Sequence, residues 1–141
     1  MTDLAIVICT FHREELLEQG LRALARQVMP DGLSVRVIVV DNSDEGSADG
    51  VVAALARDFP LPLERIAAHP ANISVARNAG VAAAAECTHL AFLDDDQEVE
   101  PGWLLAVAAA IGQFPHDALF GAVEPLFAAP DKATPFVRQL F

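Results

Sequence analysis

Residues 4–9 read Leu-Ala-Ile-Val-Ile-Cys and form an uninterrupted apolar run close to the start of the chain. A short run of this kind, without polar alternation, is typical of a strand that is buried on both faces of a parallel sheet. Leucines then recur at helical spacing, which predicts a helix from about Arg13 to Gln27. The sequence therefore opens with a buried strand followed directly by an amphipathic helix.

The same alternation continues along the chain. Strands are predicted at 35–40, 63–68, 89–93 and 118–123. The helices between them are expected to end near Asp58, to run from 74 to 86 with Ser74 as N-cap, and to run from 101 to 113. This order predicts βαβ units with right-handed crossovers in a doubly wound α/β architecture. Ligands of such sheets bind beyond the carboxyl ends of the strands.

Composition restricts the class of protein. A length of 141 residues, 53% of them hydrophobic, fits one folded domain and argues against disorder. The formal net charge of -11 argues against nucleic acid or an anionic membrane as a partner. Cys9 and Cys87 lack metal-ligand spacing, and no basic segment precedes the first apolar run. These features predict reduced thiols and a cytoplasmic location.

Three consecutive carboxylates, Asp94, Asp95 and Asp96, follow the apolar residues 90–93. Carboxylates this close together repel one another, and a bound cation would relieve the repulsion. Oxygen-only ligands suit Mg²⁺ or Mn²⁺, which often bridge one or two protein carboxylates to substrate phosphates. The alternative is a solvated acidic turn ahead of a helix whose first turn contains Pro101.

Polar residues also follow the other predicted strands. Phe11 could stack on a base, Asp41 or Asn42 could accept a hydrogen bond from a base N–H, and Arg77 could pair with a diphosphate. Each has an ordinary structural alternative: a core position for Phe11, a turn or helix cap for 41–43, and a surface ion pair for Arg77. Their occurrence at four strand ends together favours a ligand site.

Four segments, in order, resemble family 2 glycosyltransferases with the GT-A fold. Residues 8–13 resemble that family's Ile-Pro-Thr-Tyr-Asn-Arg segment, and 39–43 its Val-Val-Asp-Asp/Asn-Gly-Ser segment. Residues 72–80 resemble its Asn-x-Gly-x-x-x-Ala-Arg-Asn-x-Gly segment, and 92–96 the strand that carries its Asp-x-Asp motif. The resemblance covers about residues 4–125. It implies a Rossmann-like three-layer sandwich with a mostly parallel sheet, as in nucleotide-diphospho-sugar transferases.

The resemblance also implies a role for individual residues. Thr10 and Phe11 would border the nucleobase, Asp94 would contact the donor ribose, and Asp96, with Asp94, would bind Mn²⁺ or Mg²⁺. The full donor-binding set that it implies is Thr10, Phe11, Arg13, Asp41, Asn42, Arg77, Asp94 and Asp95. The sequence departs from the family pattern at Cys9, His12 and Ser74.

The predicted function is metal-dependent transfer of a sugar from a nucleotide-diphosphate donor to a glycan, lipid or protein acceptor. Residues 1–125 would form the nucleotide-sugar-binding core and 126–141 a separate C-terminal segment. The resemblance places the catalytic carboxylate of inverting members past Phe141, because Glu124 comes too early, so no catalytic base is expected in the chain. The donor-binding half would then be cytoplasmic, or membrane-peripheral through a further C-terminal part.

Three alternatives compete with this prediction. One is a binding module that holds a nucleotide without transferring sugar. A phosphoacceptor receiver domain would need paired acids after the first strand, where the chain has Thr10, and a lysine after the last strand. A dehydrogenase would need Gly-x-Gly-x-x-Gly after the first strand, which is absent. Apolar residues near 118–141, among them Phe120, Leu126, Phe127, Phe136, Leu140 and Phe141, predict a homo-oligomer or a mobile tail.

Overall fold

Four parallel strands form one sheet in the computed structural model, which describes residues 2–114, 118–127 and 134. The strands are β1 (Thr2–Thr10), β2 (Leu33–Asp41), β3 (Leu63–Ala67) and β4 (His89–Asp94). Their spatial order is β3-β2-β1-β4, and every pairing among them is parallel. The first strand of the sequence is thus central, as its continuous apolar run predicts.

Helices cover both faces of the sheet. They are α1 (Glu14–Ala25), α2 (Asp49–Ala56), α3 (Ile73–Ala83) and α4 (Trp103–Gln113). Buried residues of α1, α2 and α4 form one core cluster with alternate residues of β1 and β2, including Leu4, Ile6 and Ile8. The other cluster joins α3 to the intervening residues, including Ala5 and Val7. This arrangement confirms the predicted three-layer α/β architecture with a parallel sheet.

A glycine lets α3 approach the sheet closely. A Cβ added at Gly80 would collide with Cγ1 of Val7, a fully buried residue of β1. The amino end of the same helix lies beside the carboxyl ends of β1 and β2. The Ala-Arg-Asn-x-Gly part of the sequence therefore determines how the helix packs as well as which polar groups it carries.

The predicted cap of α3 is wrong. Asn72, not Ser74, caps the helix: its Oδ1 accepts hydrogen bonds from the backbone N–H groups of Ser74 at 2.8 Å and Val75 at 3.4 Å. Asn72 has the extended backbone typical of an N-cap, whereas Ser74 is already helical. The helix also ends at Ala83 rather than at residue 86.

The predicted fifth strand is wrong as well. Residues 118–127 contain no helix or strand, and the Phe120 side chain is 96% exposed. These residues are not packed on the sheet, so their side chains gain none of the burial that stabilises a strand. The apolar residues Phe136, Leu140 and Phe141, expected to favour association, lie outside the described residues.

No helix in the described part of the chain combines the length and the apolar character needed to cross a bilayer. The longest, α1, has 12 residues, whereas a transmembrane helix needs about 20.

Candidate functional site

A cavity of about 500 Å³ opens at the carboxyl ends of β1, β2 and β4. This is the edge where ligands of parallel α/β sheets bind. The strands contribute most of its polar lining, and the loop before α3 together with the first turn of α3 closes another side. The lining residues are Cys9, Thr10, Phe11, Arg13, Asn42, Ala71, Asn72, Ile73, Ala76, Asp94, Asp95 and Asp96.

One end of the cavity is a hydrogen-bonded network around Asp95. The Thr10 hydroxyl donates to Oδ2 of Asp95 at 2.9 Å, and Nη1 of Arg13 donates to Oδ1 at 3.2 Å. The same Arg13 nitrogen lies 3.0 Å from Oδ2 of Asp96. Asp95 is 7% exposed, while Arg13 and Asp96 are about half exposed. Both oxygens of the buried carboxylate are therefore already paired within the protein.

Arg77 does not line the cavity but forms a second, looser pair with Asp94, which does. Arg77 Nη2 lies 3.8 Å from Asp94 Oδ1, and both side chains are more than half exposed. Neighbouring Cys9 is partly buried; burial raises the pKa of its thiol, and Asp94 and Asp95 add to the increase while Arg77 opposes it. Cys9 is thus a neutral thiol in the cavity wall. Because the side chains of Asp94 and Arg77 are more than half exposed, their charged groups stay accessible to a ligand.

Phe11 presents an aromatic surface to the cavity. Its side chain is 50% exposed, so the core alternative for this residue is wrong. The ring meets the imidazole of His12 edge-on, with ring centroids 4.3 Å apart. His12 has a φ of 53°, in the left-handed region that few residues other than glycine adopt. This turn carries the chain from β1 into α1, and half of the Phe11 side chain stays accessible for stacking.

Asp41 lies behind the cavity rather than in its wall. Its fully buried carboxylate accepts hydrogen bonds from Ser43 N at 2.9 Å, Ser43 Oγ at 2.7 Å, Ala48 N at 2.8 Å and Arg65 Nη2 at 3.1 Å. Burial is the largest single effect and raises the pKa of Asp41. The hydrogen bonds from Ser43, Ala48 and Arg65 together outweigh it and hold the pKa below its ordinary value. The carboxylate thus supports the turn after β2, and its contact with a base stays a prediction.

Asn42 lines the cavity, but most of its amide is engaged. Nδ2 donates to the carbonyl oxygens of Ala68 and, at 3.2 Å, Pro70, while Oδ1 accepts from Asn72 N at 2.7 Å. The side chain thus ties β2 to the loop that leads into α3. Only the second lone pair of Oδ1 remains for a ligand, so the expected hydrogen bond from a base N–H stays chemically available.

Five lining residues were not predicted as part of the site: Cys9, Ala71, Asn72, Ile73 and Ala76. All except Cys9, which lies near the end of β1, lie at the amino end of α3. Asn72 was available as a signal because it begins the segment 72–80, which resembles a family motif. The apolar residues gave no signal, since nothing in an Ala-rich sequence distinguishes a cavity wall from a core.

In the described residues, no group of three or more His, Cys, Asp or Glu side chains is arranged to hold a metal ion. Mg²⁺ and Mn²⁺ do not require such a group, because they bind through one or two carboxylates and complete their coordination with water and substrate phosphates. Asp94 and Asp96 fit this smaller ligand set, since both line the cavity and are at least half exposed. Asp95, with both oxygens paired, does not.

Comparison with known proteins gives a consistent result. The family described as "Glycosyl transferase family 2" matches residues 5–135. The succinoglycan biosynthesis protein ExoM of Rhizobium meliloti (strain 1021) is 40% identical over 99 residues, which are 70% of this chain and 31% of ExoM. The chain thus spans about a third of the length of this relative.

Solved structures of S. aureus TarS share the fold. TarS 1-349 superimposes with a TM-score of 0.63 at 20% identity over 80% of this chain and 33% of TarS. Its complex with UDP-GlcNAc gives 0.64 at 24% identity, over 80% and 32% of the two chains. Identity at this level establishes similarity of fold.

Proposed function

Because the chain belongs to glycosyl transferase family 2, we propose that it binds the nucleotide-sugar donor of an enzyme that transfers a sugar to an acceptor hydroxyl. The observation that carries the proposal is the composition of the cavity. The half-exposed ring of Phe11 and the apolar side chain of Ile73 offer surface for a base, and Asp94, Asp96 and Arg13 line the same cavity. Arg77 lies beside the cavity, 3.8 Å from Asp94. A nucleoside diphosphate has this combination of an aromatic part and an anionic part.

A divalent cation, Mn²⁺ or Mg²⁺, belongs to the proposal. Asp94 and Asp96 would repel a diphosphate, because all three groups are negatively charged, unless a cation lay between them. These two residues would hold the ion, which would stabilise the negative charge that develops on the departing diphosphate. The guanidinium groups of Arg13 and Arg77 lie beside the same carboxylates, and guanidinium pairs well with phosphate oxygens.

We further propose a uridine nucleotide and a glycan acceptor. TarS has been solved with UDP-GlcNAc and with UDP, and the printed name of ExoM refers to succinoglycan biosynthesis. These names support the choice of donor and acceptor to test first. We assign no residue of this chain to deprotonation of the acceptor, since Glu124 is exposed and does not line the cavity.

A cytoplasmic location and self-association complete the proposal. Cys9 and Cys87 are free thiols, which suits a reducing compartment. Leu126 and Phe120 are largely exposed, and exposed apolar groups of this kind favour association.

Substitution of the aromatic wall tests the proposal. Phe11→Ala should weaken the binding of UDP in the presence of Mn²⁺ by about 1–3 kcal/mol, the usual contribution of an aromatic ring stacked on a base. Isothermal titration calorimetry measures the loss. Phe92→Ala is the matched control, because Phe92 is 43% exposed but does not line the cavity. Equal UDP affinity in the wild type and in Phe11→Ala would contradict the proposed base site.

A further inference from the structure

The Arg13 guanidinium lies where two acidic side chains meet. A single nitrogen, Nη1, is 3.2 Å from Asp95 Oδ1 and 3.0 Å from Asp96 Oδ2. Its backbone is fixed at the N-cap position of α1, directly after the turn at His12. Among the described ion pairs, Arg13 thus supplies the positive charge that compensates this pair of carboxylates.

The two contacts of Arg13 differ in strength because their surroundings differ. Asp95 is nearly inaccessible and is held from the other side by the Thr10 hydroxyl, so its contact with Arg13 is shielded from water. Asp96 is half exposed, so water and salt weaken its contact with Arg13. A competing cation would therefore displace Arg13 from Asp96 more readily than from Asp95.

We propose that Arg13 is an internal counter-ion that competes with a divalent cation for Asp96, while Asp95 anchors the guanidinium in both states. The inference rests on the proposed function, because it takes Asp96 as a metal ligand. When the cation binds Asp96, Arg13 keeps its contact with Asp95 and has free N–H groups for a phosphate oxygen. Asp95 is a positioning residue in this scheme: it acts on the donor only through Arg13.

Binding of Mn²⁺ alone, without nucleotide, tests the competition. Arg13→Gln removes a positive charge that lies 3.0 Å from Asp96, the proposed metal ligand. The variant should therefore bind Mn²⁺ about tenfold more tightly than the wild type. Arg13→Lys keeps the charge and should stay close to the wild type. Arg22→Gln is the matched control, since Arg22 lies on the same helix, is equally exposed and pairs only with Glu18 among the described contacts.

These titrations test the proposed function and the competition between Arg13 and Mn²⁺ separately. Mn²⁺ affinity of Arg13→Gln that equals or falls below that of the wild type overturns the inference, even if the wild type binds UDP with Mn²⁺. Failure of the wild type to bind UDP overturns the proposed function, whatever Arg13→Gln does with Mn²⁺ alone.

A double-mutant cycle tests the anchor. Asp95→Asn should weaken UDP binding in the presence of Mn²⁺, and most of that effect should disappear in the Arg13→Gln background, because the two residues act as one unit. Additive effects of the two substitutions would show that Asp95 acts on its own and would overturn the anchoring role. Thermal unfolding of each variant shows whether the protein is folded at the titration temperature.

Discussion

Asp41 and Asn42 are adjacent in the sequence, and the resemblance implied the same role for both. Asp41 is the last residue of β2 and Asn42 is the first residue after it, and the structure places their side chains in different surroundings. Asp41 is fully buried under four hydrogen bonds, and Asn42 reaches the cavity wall. The motif is recognisable in the sequence. Which of its residues lines the cavity and which stabilises the turn behind it depends on the groups that surround each side chain.

Substitution of Asp41 should affect stability far more than donor binding. Asp41→Asn removes a fully buried charge that pairs with the partly buried Arg65, and it should lower the free energy of unfolding by roughly 3 kcal/mol. Asp49→Asn is the control, because Asp49 contacts the same arginine from an exposed position and should cost less than about 1 kcal/mol. Urea unfolding gives both values. A stable Asp41→Asn protein that no longer binds UDP would restore the direct contact with the base.

The lowered pKa of Asp41 also predicts a pH dependence. A carboxyl group whose pKa is lower in the folded state than its ordinary value of 3.8 binds fewer protons when folded. Its stabilising contribution is complete above pH values near that ordinary pKa and is lost as the pH falls through the lower, folded value. Unfolding free energies measured from pH 6 downward should therefore decline less steeply in Asp41→Asn than in the wild type. Parallel curves would contradict this role.

At the level of elements, the spacing of apolar residues was sufficient to predict the strands and the helix whose apolar residues are continuously buried. The strands β1 and β2 and the helix α1 were predicted to within a few residues, because their apolar residues face the two core clusters directly. The errors lie where the sequence offers similar alternatives. Ser74 and Asn72 are both good N-caps, and only the backbone of the preceding loop decides between them. The apolar residues 118–123 resemble a strand but have no described neighbour to pair with.

Long-range partners could not be predicted for α4. The helix starts at Trp103, after Gly102 with φ 126°, and its own N-cap supplies no side-chain hydrogen bond. Gln27, beyond the end of α1, takes that place: its Oε1 accepts from Leu104 N at 3.1 Å, and its Nε2 donates to the Glu100 carbonyl oxygen at 2.8 Å. Such a contact joins residues more than 70 positions apart, which no local pattern reveals.

Removal of this contact should loosen α4. Gln27→Ala should lower the free energy of unfolding by about 1–2 kcal/mol, the usual effect of losing a helix cap with its hydrogen bonds. Gln19→Ala, at an exposed position of α1, should stay within about 0.5 kcal/mol of the wild type. Chemical denaturation measures the difference between the variants. A Gln27→Ala protein as stable as the Gln19→Ala control would show that α4 needs no cap from Gln27.

On the scale of the whole molecule, the chain is strongly acidic, and yet its proposed ligand is an anion. The formal net charge is -11, and three carboxylates line the cavity. Arg13 in the cavity lining and Arg77 beside it already contact these carboxylates, so they do not by themselves create a positive site. A divalent cation between the carboxylates and the diphosphate removes this repulsion. Donor binding should therefore depend on the cation more than on any single base contact. The boundary predicted at residue 125 stays a prediction.

Calorimetric titration of UDP into the wild type and Asp96→Asn, each with and without Mn²⁺, tests this central claim most directly. The wild type with Mn²⁺ should bind UDP at least about tenfold more tightly than without it, a difference of about 1.4 kcal/mol. Asp96→Asn should lose most of that gain, because one carboxylate ligand of the ion is replaced by a neutral amide. Equal UDP affinity in all four titrations, or no binding in any of them, would contradict the account.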